Sequence, residues 1–298
     1  MSSIHVRKAT SLKYNFAGRA WFYRFRELDE AFEEKACQKI IGSLSQRFSL
    51  LTKSWSEERN SEWLCRTYLS SKMIMTATLN LNALEYSNDK NLRVVAPYLA
   101  YYSILSLLRA IVYMLPEVEW QNGKLVSISH SRAMNLAFDY ISSFDKEFAI
   151  KLKEFSKKIK AYRELLSYRS PSSGDLNTSD IDEIEEVATL LAEVAQFTSE
   201  IMESSILKNA DESKFVFLSE YMDELINLEI EGVHFFDNED YYRLGYLARK
   251  YPVSPNIQHI MTEGHVEDFF GAWSSKSDIE SEDEFNPDKD WRKIFDVP

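Results

Sequence analysis

The stretch AYRELLSYRSPSSGD, residues 161–175, sets Arg163, Tyr168 and Arg169 where a long charged helix breaks into a Pro-Ser-Ser-Gly turn. Guanidinium donors grip phosphates and tyrosine rings stack on bases, so the segment reads either as a contact for RNA or as the end of a helix. Upstream, Lys146, Lys153, Lys157 and Lys160 line one side of the same helix at 100° per residue. Such a row can track a phosphate backbone with salt-dependent affinity. A solvated face explains it equally, because Glu147 and Glu154 interleave and no aromatic alternates with the lysines. His259 and His265 in HIMTEGH have Glu263, Glu267 and Asp268 nearby, but their spacing is not that of a helical ligand pair. They read as surface-loop histidines, and no metal is expected. GxxxxGK[ST], GxGxxG, HExxH and GxSxG are absent, which removes the phosphate-loop, dinucleotide, zincin and hydrolase-elbow classes. No cofactor is expected.

The elements that must hold these side chains are helical. In 298 residues with 45% hydrophobic content, glycine and proline number only 8 and 7, too few for a chain of tight-turned strands. Apolar residues at steps of three and four predict a helix from Trp21 to Trp55, bent near Gly42, then a polar break over SEERNSE and a helix from Trp63 to Leu84. Pro97 opens a helix apolar on nearly every side, the expected centre of a bundle. Ser129 caps a helix to Ile141, and another runs from Asp145 to Tyr168 with Phe148, Leu152, Phe155, Ile159, Tyr162 and Leu166 inward and Arg163 at the edge of that face. Ser179 caps a helix through Ile184 to Ile201, and one more spans Ser213 to Ile230, followed by a short helix near Asp240 to Lys250. The window Leu99 to Leu115 contains Arg109 and three tyrosines and reads as a core helix, not a membrane span.

PYLAYYSILSLLRAIVYM (97–114), SHSRAMNLAFDYI (129–141), YRELLSY (162–168) and IEEVATLLAEVAQFTSEIM (184–202) together resemble the HEPN domains of prokaryotes, over roughly residues 61–205. The resemblance implies a bundle of four or five antiparallel helices, often dimeric, in a toxin–antitoxin, stress or antiviral defence setting. Many such domains are metal-independent ribonucleases built on an arginine followed four to six residues later by histidine. Others bind nucleotides, RNA or protein. Arg163 matches the motif arginine, but Tyr168, Arg169 and Ser170 occupy the positions where histidine is expected. Tyrosine, with a pKa of about 10, is a poor general base where histidine at about 6.5 is a good one. His130, from the Ser-His that opens another helix, is the one candidate to replace it; otherwise it bonds locally in the first turn of its own helix.

Charge divides the chain. Residues 1–170 hold 26 Lys+Arg against 17 Asp+Glu, and residues 171–298 hold 9 against 30. The basic half suits an anionic partner, and two differently solvated segments account for it as well. Trp273, Phe285, Trp291 and Phe295 lie inside the acidic end, where a purely solvating tail has few aromatics, so that end is expected to dock on its own basic half or on a partner. Cys37 and Cys65 have no partner spacing, and no apolar run follows the basic N-terminus, which fits a cytoplasmic protein. The sequence thus predicts an all-α protein: a helical extension (1–60), an antiparallel bundle (61–205) and an acidic, partly irregular C-terminal segment (206–298). Its partners would be RNA or nucleotide, or a protein or second copy, with no membrane. Three functions remain: binding without catalysis, ribonuclease action by Arg163 with Tyr168 or His130, and pure protein assembly.

Overall fold

A computed structural model describes residues 15–16, 19–20, 23–169, 171, 181–250, 255–275 and 284–297. Among them are eleven α-helices: α1 (Glu27–Ala31), α2 (Glu34–Thr52), α3 (Glu57–Asp89), α4 (Ala96–Tyr113), α5 (His130–Ser142), α6 (Lys146–Arg169), α7 (Ile181–Asn209), α8 (Glu220–Ile226), α9 (Asn238–Lys250), α10 (Ile257–Ile260) and α11 (Glu263–Gly271). Two antiparallel pairs complete them: β1 (Asn15–Phe16) with β2 (Arg19–Ala20), and β3 (Asn227–Ile230) with β4 (Val233–Phe236). The fold is all-α, as the apolar periodicity predicts. No helix among the described residues is long and apolar enough to cross a membrane.

The longest helix starts earlier than its sequence suggests. The Ser56 hydroxyl accepts from the Arg59 N–H at 3.3 Å, so SEERNSE forms the first turns of α3 and not a break. Asn60 and Ser61 face inward there and both donate to the Val216 carbonyl. α4, with Pro97 in its first turn, packs along α3 and also meets α5, α6 and α7, the central position expected of a helix apolar all round. Arg66 of α3 seals the end of α4. Its guanidinium donates to the carbonyls of Tyr113, Leu115 and Val118 and to the Glu62 carboxylate, with 1% of the residue exposed. Tyr113 ends α4, where the helix leaves its own carbonyl without a partner, and the Leu115 carbonyl accepts from the Val118 N–H as well.

Two expectations need correction. The helix drawn from Trp21 to Trp55 breaks at Phe32 and Glu33, both extended, and not near Gly42. Phe32 leaves the helical line to pack against Phe144 and Phe148, with ring centroids at 5.8 and 5.1 Å. The helix drawn from Ser213 to Ile230 is helical only over α8. Glu231 and Gly232 both have positive φ, 52° and 79°, the backbone of a two-residue hairpin turn, and β3 and β4 pair across it. The capping residue Ser179 lies outside the described residues. One apolar core runs from Tyr23 to Val297, so the three segments read from the sequence share it.

Candidate functional site

α6 is rotated relative to its predicted face. Ala149, Leu152, Ser156 and Ile159 are buried, while Phe148 and Phe155 are only half-buried against the core. The buried line therefore joins Leu152 and Ile159 of the predicted face to the small residues Ala149 and Ser156. Followed one turn further, that line reaches Arg163, which faces α4 instead of lying at the margin.

α4 meets it there with tyrosines at helical spacing, Tyr98, Tyr101 and Tyr102. The Arg163 guanidinium carbon lies 5.3 Å from the centroid of the Tyr101 ring and 6.0 Å from that of Tyr102. Nη2 donates to the Tyr102 hydroxyl over 3.4 Å, and Nε has no hydrogen-bond partner among the described residues. That hydrogen bond, opposed in part by burial, holds the guanidinium above its already high pKa. One turn on, the Ser167 hydroxyl lies 3.2 Å from that of Tyr98.

His130, the first residue of α5, completes the cluster. Ser129 caps the helix by accepting from the Arg132 N–H, and Arg109 of α4 donates to the Ile128 carbonyl just before it. These contacts fix where the imidazole enters. Its Nδ1 is 2.9 Å from the Tyr101 hydroxyl, and its ring stands edge-on to Tyr102 with centroids 6.2 Å apart. Partial burial, then the cations Arg109, Arg163 and Lys160, lower the His130 pKa below its ordinary value. At pH 7 the imidazole is neutral, and the positive charge of the cluster resides on Arg109, Lys160 and Arg163. Burial raises the Tyr101 pKa, so its hydroxyl stays protonated.

The structure therefore joins Arg163 and His130 through two tyrosines, and leaves other predicted residues apart. Tyr168 is 76% exposed and bonds to neither. Lys146, Lys157 and Arg169 are exposed and Lys153 half-exposed along α6, while Lys160 pairs with Glu164 at 3.4 Å. The two close histidines are not surface-loop residues. His259 begins in α10 and sits 3.2 Å from the Glu203 carboxylate, whereas His265 in α11 stands edge-on to Tyr68. Burial drives the His265 pKa down to about 4. Among the described residues no group of three or more His, Cys, Asp or Glu is placed to hold a metal ion.

Of the four aromatics proposed for docking, three turn onto the chain itself. Phe295 is wholly buried against Tyr23, Trp291 packs on the core, and Phe285 meets Tyr86 with centroids at 5.7 Å. Lys293 anchors this end by pairing with Glu85, Glu185 and Asp290. Only Trp273, 59% exposed, is left to face outward. Sequence reasoning passed over Tyr98, Tyr101, Tyr102 and Arg109. The signal was there: three hydroxyls and a charge on a helix otherwise apolar on nearly every side.

Comparison with protein-family models, with curated proteins and with solved structures finds no match.

Proposed function

We propose that this chain is a HEPN-like helical protein that binds RNA at the junction of α4, α5 and α6, with its defence or stress setting resting on the family resemblance alone. The observation that carries the reading is Arg163, which has five donors and uses one of them on a long bond to a tyrosine. An arginine kept only to fasten helices has its donors on carbonyls or carboxylates. Tyr98 and Tyr102 add rings beside the guanidinium on which a base can stack, where the lysine row of α6 interleaves no aromatic. Lys160, Lys157 and Lys153 continue the positive charge along α6 for a phosphate backbone.

The test is fluorescence anisotropy with a labelled oligouridylate. Arg163→Ala should weaken binding by about tenfold, the scale of one charge-assisted contact, with the thermal melt nearly unchanged. Equal affinity of wild type and variant would refute the reading.

A second reading, ribonuclease action, is favoured by the 2.9 Å contact of Tyr101 with His130. If the Nδ1 proton points to that hydroxyl, Nε2 of the neutral ring can take the proton of a ribose 2′-hydroxyl as its oxygen attacks phosphorus and displaces the 5′-oxygen, which takes a proton from water and leaves a 2′,3′-cyclic phosphate, with Arg163 set toward the charge that builds on the phosphoryl oxygens. Incubation of end-labelled RNA with a metal chelator decides it. Cleavage by wild type that is lost in His130→Gln supports the enzyme, and intact RNA in both leaves the binding reading alone.

A further inference from the structure

The hairpin of β3 and β4 exposes an apolar surface that nothing in the RNA reading uses. In its register Leu228 stands opposite Phe235 and Ile230 opposite Val233, and side chains of directly paired residues share a face. One face of the ribbon is therefore apolar throughout, with Ile230 59%, Val233 54% and Phe235 51% exposed. The other face carries Glu229 opposite His234, with the His234 Nδ1 3.9 Å from the Glu229 carboxylate, and Asn227 opposite Phe236. Among the described residues, neither strand pairs with a third. An isolated two-stranded ribbon is marginal in water, and free edge amides with one apolar face are what strand addition uses.

Charge selects the occupant. Residues 220–242 contain eight carboxylates and no lysine or arginine; Asp237 and the buried Asp240 face Lys72, and the other six, Glu229 and Glu231 of the hairpin among them, give the region its negative charge. A phosphate backbone is repelled there. A second copy pairing the same β3 edge would bring Glu229 toward Glu229 and Glu231 toward the same acidic strand, which like charges disfavour. A basic strand with alternating apolar residues satisfies both faces at once: its apolar side chains extend the row of Leu228 and Ile230, and its Lys or Arg side chains fall beside Glu229. We infer that the β3 edge is a docking site for an extended segment of a partner protein in which apolar residues alternate with Lys or Arg. This inference stands apart from the RNA reading, since it uses other elements and the opposite charge.

Three labelled heptapeptides test it by fluorescence anisotropy against the full chain: alternating Val-Lys, the same residues in two blocks, and alternating Val-Glu. The alternating Val-Lys peptide should bind at least about tenfold more tightly than the other two. Phe235→Thr with Val233→Thr keeps strand-forming residues but removes the apolar face, and should cost about tenfold or more. Glu229→Gln should cost about two- to fivefold, with an unchanged circular dichroism melt. Equal binding of the blocked peptide would mean plain attraction to an acidic protein and would overturn the inference. So would no binding of the alternating Val-Lys peptide, indifference to the threonine substitutions, or self-association of the chain that those substitutions abolish.

Discussion

Arg66 and Arg163 are the same side chain in two settings. Arg66 is sealed between α3 and the end of α4, with donors on three carbonyls and a carboxylate. Burial lowers its pKa, and Glu62 opposes that shift. Arg163 also touches α4, but it finds tyrosine rings there and one long hydrogen bond. What separates scaffold from site is how the donors are used, because a buried guanidinium left without partners would cost several kcal/mol. Arg66 has four of its five donors bonded and only 1% of the residue exposed, whereas Arg163 commits one donor, to Tyr102.

The largest effect should come from breaking the sealed arginine. Arg66→Met takes the guanidinium donors away from the carbonyls at and beyond the end of α4 and should cost about 3 kcal/mol or more, read as a lower melting temperature. Protein still folded at low temperature should bind RNA as wild type does. Tyr102→Leu keeps the packing of α4 but removes both the hydroxyl that bonds Arg163 and an exposed ring, and should cost about 1–2 kcal/mol of RNA affinity. A melting shift without an affinity shift would make Tyr102 a packing residue. Reversing Lys153 and Lys157 to Glu should flatten the salt dependence of RNA binding by about two in the slope of log K against log salt. Binding that instead persists in high salt would point to protein assembly.

A last effect, on the pH dependence of stability, concerns a buried carboxylate that is scaffold in the same sense as Arg66. Glu193 of α7 accepts from the Arg26 and Leu28 N–H groups at 2.6 and 2.7 Å, holding the start of α1. Burial pushes its pKa up to about 7, against the partial opposition of those hydrogen bonds. An ordinary glutamate in the unfolded chain titrates at about 4.3, so the folded state binds the proton more tightly. Stability from this group is fully present below about pH 4 and declines as pH rises through 7. Glu193→Gln should remove that part of the pH dependence of melting, and an unchanged profile would show that another group carries it.

The helices were legible because their apolar residues repeat at three and four, and the Ser129 cap was read to the residue. The face of α6 was read in part: Leu152 and Ile159 are buried as predicted, but Ala149 and Ser156 lie deeper than Phe148 and Phe155, because phenylalanines outrank alanine and serine in an apolar count. INLEI reads as a helix by its apolar spacing, while the Glu231–Gly232 turn that makes it a strand is a short signal. The site was legible in part. Arg163 and His130 were both visible, but periodicity along one helix says nothing of which tyrosines a neighbouring helix presents. The inward turn of Phe295 and Trp291 was likewise left open, since composition alone does not tell docking on self from docking on a partner.

The central claim, that Arg163 serves a ligand where Arg66 serves the fold, is tested most directly by measuring oligouridylate affinity and melting temperature together for Arg163→Ala. The expected result is a loss of about tenfold in affinity with a stability change below about 1 kcal/mol. Unchanged affinity with a large drop in melting temperature would contradict it and make Arg163 a fastener of the bundle.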